Sequence, residues 1–147
     1  MIRNVIFDIG QVLAEFRWKE FIKELGYSDE INCRIANATV LSPYWNEVDR
    51  GVKSRTEIIE CCVNQDIEIE DEIRHFFKDQ REMVKEYDYS ENLVKTLKKN
   101  GYQVYLLSNY GEENFSHVKE IFRFLPHVDG GIISYQVKTI KPEPEIY

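Results

Sequence analysis

Asp8 is the first residue whose type and place suggest chemistry. It interrupts the apolar run Asn4-Val5-Ile6-Phe7-Asp8-Ile9-Gly10-Gln11-Val12-Leu13, two residues before a glycine. Val, Ile and Phe without polar alternation suit a strand covered on both faces, as in a parallel sheet under helices. A carboxylate buried there needs a cation or hydrogen bonds, and ligands of open parallel sheets gather beyond the carboxyl ends of the strands. The residue type alone leaves a second reading open, in which Asp8 only caps the turn after the strand. Ser108-Asn109 stand at the tip of another apolar run, Tyr102-Gln103-Val104-Tyr105-Leu106-Leu107, and repeat that placement. Taken alone they equally suit the cap of a helix starting near Glu112. Lys141, directly before Pro142, is the third candidate, and in isolation it reads as a solvated lysine.

Composition sets the frame for these residues. The chain has 147 residues, 43% of them hydrophobic and 13% aromatic, enough for one domain with a real core. A net charge of −7 and a pI near 5.1 disfavour nucleic acid and anionic membrane as partners, because no Lys/Arg cluster offsets the acid. An anionic substrate therefore needs a local cationic site. Cys33, Cys61 and Cys62 have neither CxxC nor Cys/His spacing and read as small apolar residues in a reducing compartment. His75, His117 and His127 share no ligand spacing. Arg3 and Asp8 break the N-terminal apolar run, so neither a signal peptide nor a membrane span is expected, and the cytoplasm follows by default.

The elements that must position the candidates follow from periodicity. Trp18, Phe21, Ile22 and Leu25 predict a helix over 18–25 that stops at Gly26. Ser28 opens a second helix through Ile31 and Ile35, and Ser42-Pro43 opens a short third one that closes at Gly51. Ser54 and Glu57 have capping-box spacing ahead of Ile58, Ile59 and Val63, and an apolar stripe runs from Ile69 to Tyr87. The span 16–88 is expected to be all helical. From Ser90 the pattern changes to helix, strand over 102–107, helix around Phe115 and Val118, strand near Gly130, and a further helix opened by Lys141-Pro142. Alternating strands and helices split by a helical block predict an α/β core with an insertion after its first strand.

Three segments in this order resemble the first three signature motifs of the haloacid dehalogenase (HAD) superfamily: Phe7-Asp8-Ile9-Gly10-Gln11-Val12-Leu13, Leu107-Ser108-Asn109, and Lys141-Pro142-Glu143 with Ile146-Tyr147. The segment 45–51 resembles the helical cap that many such hydrolases insert between the first two motifs. The resemblance implies a Rossmann-like parallel sheet core over 1–15 and 89–147, with a helical cap over 16–88. It also implies a magnesium-dependent phosphatase of a small phosphate monoester, such as a sugar phosphate. Asp8 would be the nucleophile, forming an aspartyl-phosphate. Asp8 and the Gly10 carbonyl would hold Mg²⁺, Ser108 and the Asn109 backbone amide would bind phosphate oxygens, and Lys141 would neutralise the charge they share. Trp45 is expected in the core of the cap, and Glu47 and Arg50 as an i,i+3 ion pair.

Two departures from the family pattern qualify that expectation. Many HAD phosphatases carry a second Asp two residues after the nucleophile as general acid, whereas this chain has Gly10, and Glu15 is the candidate substitute. The acidic fourth motif, which supplies a further magnesium ligand, has no counterpart before Tyr147. The resemblance thus implies that the span is incomplete. By itself it is expected to bind magnesium poorly, to lack phosphatase activity and to associate through an uncovered edge of the first strand. A dehalogenase with the same nucleophile, or an inactive partner-binding relative, are the alternative readings.

Overall fold

The computed structural model describes residues 2–147. A short strand β1 (Asn4–Phe7) leads into a tight turn, in which the Ile9 carbonyl accepts from the amides of Val12, Leu13 and Ala14 at 3.2, 2.9 and 2.9 Å. Gln11 enables this turn by adopting a left-handed conformation (φ 58°). Strand β2 (Ala14–Phe16) follows, and then helices α1 (Trp18–Glu24), α2 (Asp29–Ala38), α3 (Pro43–Arg50), α4 (Arg55–Val63) and α5 (Glu70–Lys78). The chain returns through β3 (Val84–Glu86), α6 (Ser90–Lys99), β4 (Gln103–Ser108), α7 (Glu112–Ile121), β5 (Gly130–Ile133) and the one-turn helix α8 (Ser134–Val137).

Local signals account for most helix ends. Ser28 Oγ accepts from the Ile31 amide at 3.3 Å, and Ser54 and Glu57 form the reciprocal capping box. Gly26, Gly51 and Gly101 end or follow helices with positive φ. Ser42 departs from expectation, because its hydroxyl donates back to the Thr39 carbonyl at 2.7 Å instead of capping α3.

Strands β1, β4 and β5 form a parallel sheet in the order β1-β4-β5, with Phe7 opposite Leu106 and Ser108 opposite Ile133. Two apolar clusters result. One, around Val94, Val104, Val118 and Phe124, belongs to the sheet and its helices. The other, around Ile35, Ile73 and Phe76, is built by the helices between β2 and β3. Among the described residues no helix is long and apolar enough to cross a membrane.

Four expectations are corrected. The span 16–88 is not all helical: β2 and β3 pair antiparallel, Ala14 with Glu86 and Phe16 with Val84, so the apolar stripe breaks after α5. Strands of three residues are too short to show an alternating period. Strand β1 is not covered on both faces, since Ile6 is 62% exposed, and the strand stands at the edge of the sheet. The strand expected over 102–107 runs from Gln103 to Ser108, which places Ser108 inside the sheet. Lys141-Pro142 does not open an α-helix; a 3₁₀ turn over Pro144–Ile146 follows instead, while the unanticipated helix α8 precedes it.

Candidate active site

The carboxyl ends of three strands bring the candidates together. Because β1 and β4 run parallel with Phe7 opposite Leu106, Asp8 emerges beside Ser108. Asp8 Oδ1 accepts from the Ile9 amide and from Ser108 Oγ, both at 2.8 Å. Asp8 Oδ2 lies 2.6 Å from Lys141 Nζ, which also donates to the Leu107 carbonyl at 3.0 Å. Lys141 is thereby drawn to the sheet although it is 133 residues from Asp8 in sequence. Its backbone is fixed by Asn109, whose Oδ1 accepts from the Lys141 amide at 2.7 Å and whose Nδ2 donates to the Lys141 carbonyl at 3.1 Å. The carboxylate is thus oriented by two donors on one oxygen and a cation on the other, while its side chain stays 41% exposed. Neither Ser108 nor Asn109 caps α7, whose cap residue is Gly111.

A cavity of about 220 Å³ opens next to this cluster. Gly10, Asn109 and Gly111 border it on the sheet side, and Phe16, Trp45 and Met83 supply an apolar wall. Trp45 stacks on Phe16 with ring centroids 5.9 Å apart and meets Phe76 edge-on at 6.3 Å, so it packs with the helical cluster while reaching the cavity. Glu47 and Arg50 form the expected ion pair at 3.3 Å, but Arg50 also grips Glu143 with two further bonds, at 2.6 and 2.8 Å. Glu15 borders the cavity from β2, across the ribbon from Lys85. The three histidines stay apart from the Asp8 cluster; His75, for example, pairs with the Tyr27 hydroxyl at 2.7 Å.

Two site features escape a reading of the sequence. Asp49, on α3, borders the cavity, and burial together with the Asp8 charge pushes its carboxyl up to about 7, against the pull of the Gly111 amide. Ser134 is fully buried; its hydroxyl donates to the Asp49 carbonyl at 2.6 Å and accepts from the Tyr110 amide at 2.9 Å. It ties α3 to the loop after β4. That contact is close, since a Cβ on Gly111 would come within 2.6 Å of Val48 Cγ1 and 3.2 Å of the Val48 carbonyl oxygen. Only the helical positions 45, 47 and 50 around Asp49 drew notice in sequence, and nothing in a single Asp on an amphipathic helix marks it.

A parallel sheet under helices, with an oriented carboxylate and a hydroxyl at the ends of β1 and β4 and a lysine brought to them by the loop after α8, defines an α/β protein with a carboxylate-centred site. The chain belongs to the haloacid dehalogenase-like hydrolase family, whose family model matches residues 2–147. Among solved structures it is similar to a HAD family enzyme from Bacteroides thetaiotaomicron in complex with magnesium and inorganic phosphate. That likeness has a TM-score of 0.69 and 23% identity, and covers 99% of this chain and 75% of the other. It is also similar to the L-2-haloacid dehalogenase from Xanthobacter autotrophicus with chloropropionic acid covalently bound, with a TM-score of 0.63, 15% identity and coverage of 100% and 62%. At such identities the likeness concerns the fold. No curated protein matches the chain by sequence.

Proposed function

We propose that the protein is a magnesium-dependent phosphatase of small phosphate monoesters, a sugar phosphate being the leading candidate, acting through an aspartyl-phosphate on Asp8. The observation that carries this reading is the clamp on Asp8, with Lys141 Nζ at 2.6 Å on one oxygen and Ser108 Oγ at 2.8 Å on the other. A nucleophilic carboxylate needs to be ionised and aimed, and the transferred phosphoryl group needs positive charge and donors beside it. Lys141 and Ser108 are placed to provide both. The Bacteroides relative, bound to magnesium and inorganic phosphate, supports the same chemistry.

Two of the groups present suit a hard divalent cation, although among the described residues no three His, Cys, Asp or Glu side chains gather around one. Asp8 offers carboxylate oxygen, and among the described residues no hydrogen bond ends on the Gly10 carbonyl oxygen. These two groups would hold Mg²⁺, which when bound neutralises charge on the phosphoryl oxygens. In the same reading 1–15 and 89–147 form the core and 16–88 a cap, whose α3 closes the cavity and excludes water.

The Xanthobacter relative, with its covalently bound chloropropionic acid, favours one alternative, dehalogenation by the same carboxylate. Full-length protein assayed with a panel of phosphate esters and with 2-haloacids separates the two. Phosphate release that requires Mg²⁺ and disappears in a folded Asp8→Asn variant is the expected result. Halide release without phosphatase activity would transfer the assignment to the dehalogenase, and inactivity on both panels would point to an inactive, partner-binding relative.

A further inference from the structure

Phosphate-ester cleavage needs a proton for the leaving oxygen, and Gly10 has no side chain to give one. Hydrolysis of the acyl phosphate then needs a base for water. The cavity beside the Asp8 cluster holds the groups that can serve. Asp49 borders it from α3 and makes no ion pair among the described residues. Two further polar groups turn up without partners in the same wall: Gln80 Nε2 and the Tyr110 hydroxyl, each on a residue only 8% exposed.

We propose that Asp49 is the proton-transfer residue of this site, which rests on the phosphatase reading given above. In the first step an Asp8 oxygen bonds to phosphorus and the ester P–O bond breaks; its electron pair stays on the leaving oxygen, which takes the proton of the Asp49 carboxyl. In the second step the Asp49 carboxylate takes a proton from water as the water oxygen bonds to phosphorus. The bond from phosphorus to Asp8 breaks, inorganic phosphate departs and Asp49 is protonated again.

The surroundings suit the role. Facing Asp49 are Asp8 with its Lys141 counter-ion from the sheet, and the Tyr110 hydroxyl and Gly111 amide from the loop after β4. Glu15 lines the same cavity from β2, where it stands across the ribbon from Lys85. Along α3, Arg50 is occupied by Glu47 and Glu143 and is not available to hold Asp49 ionised. A carboxyl kept near neutrality, about 7, can both give and take a proton at ordinary pH.

The test compares full-length wild type, Asp49→Asn and Glu15→Gln on an alkyl phosphate and on p-nitrophenyl phosphate, whose leaving group departs without protonation. Asp49→Asn is expected to lower kcat/KM, which reports aspartyl-phosphate formation alone, by about 100-fold or more on the alkyl ester and much less on the aryl ester, while the shared second step lowers kcat on both. Asp49→Glu should recover part of the alkyl activity. In wild type, kcat/KM on the alkyl ester should fall as pH rises past about 7, and this limb keeps the proposal testable should the Asn variant not fold. Equal losses of kcat/KM on the two esters, an alkyl kcat/KM profile flat across that pH, or the leaving-group split appearing in Glu15→Gln alone would each overturn the assignment. Wild type releasing phosphate from neither ester would overturn the phosphatase reading and this assignment with it.

Discussion

Arg50 and Glu143 meet fork to fork, with Nη2 to Oε1 at 2.6 Å and Nη1 to Oε2 at 2.8 Å, joining α3 to the segment two residues beyond Lys141. Glu143 also accepts from Thr139 Oγ1 at 2.7 Å and from the Ile140 amide at 3.2 Å. One carboxylate therefore holds the lysine-bearing loop in shape and fastens the helix that carries Asp49 to it.

Removing that fork should loosen both sides. Arg50→Gln is expected to lower kcat/KM on the order of tenfold, through misplacement of α3 and Lys141 rather than through lost contact with substrate. Arg50→Lys should restore little, because an ammonium cannot reproduce two parallel bonds. The Arg50 guanidinium, helped by Thr139 and the Ile140 amide, pulls the Glu143 carboxyl down to about 2 from 4.5. The pair's contribution is fully present above pH 4.5 and is lost as pH falls through about 2. Acid titration followed by circular dichroism should show wild type unfolding at lower pH than Arg50→Gln.

Lys141 supplies the one cation on Asp8 among the described residues. Lys141→Met removes charge where charge develops in transfer, and kcat should fall by about 100- to 1,000-fold with the fold retained. Steady-state kinetics on the preferred ester, with a melting curve as control, checks this. Near wild-type turnover would remove Lys141 from the chemistry.

Asp49 has a thermodynamic signature independent of activity. Its carboxyl stands at about 7 in the folded protein against an ordinary 3.8, so the folded state holds an extra proton between those values. Stability should therefore decline as pH rises across that window and level off above it. Asp49→Asn should flatten the decline and stabilise the protein above pH 7 by on the order of 1–3 kcal/mol. Urea unfolding of both proteins at several pH values measures the difference.

Strand β1 presents an open edge, and Ile6 on it is 62% exposed. The 147-residue span is expected to self-associate through this strand. Ile6→Lys should reduce light scattering at matched concentration without altering the circular dichroism spectrum, whereas unchanged scattering would clear the edge.

What could be read from the sequence was whatever short-range chemistry writes there. Asp8 at the end of an apolar run, the Ser54 and Glu57 capping box and the helix ends at Gly26, Gly51 and Gly101 are local signals, and the structure repeats them. The alternation of strands and helices carried the α/β class. Long-range pairings left no such trace. The ribbon of β2 with β3 joins residues some seventy positions apart in strands of three, too short for a period. The exposure of Ile6 depends on which strands flank β1, and the run of apolar residues does not state that order. At the site, Lys141 was singled out by its neighbour Pro142, but its lock on Asn109 is a backbone matter. Asp49 and Ser134 owe their importance to the approach of α3 to Gly111, a property of packing and not of spacing.

The ribbon has a bearing on the family's diversity. The chain departs at Ala14–Phe16 and comes back at Val84–Glu86, with its two crossings side by side and the Arg17 amide bonded to the Met83 carbonyl just beyond them. Everything between is a detour whose entry and exit lie side by side, and α3 ties it back to the core. Helices that do not touch the core, such as α2, can lengthen, shrink or be exchanged without displacing Asp8 from Ser108, because the core meets the detour at the ribbon and at the ties of α3 to Ser134 and Glu143. Selectivity can drift in the helices while the reacting carboxylate keeps its place.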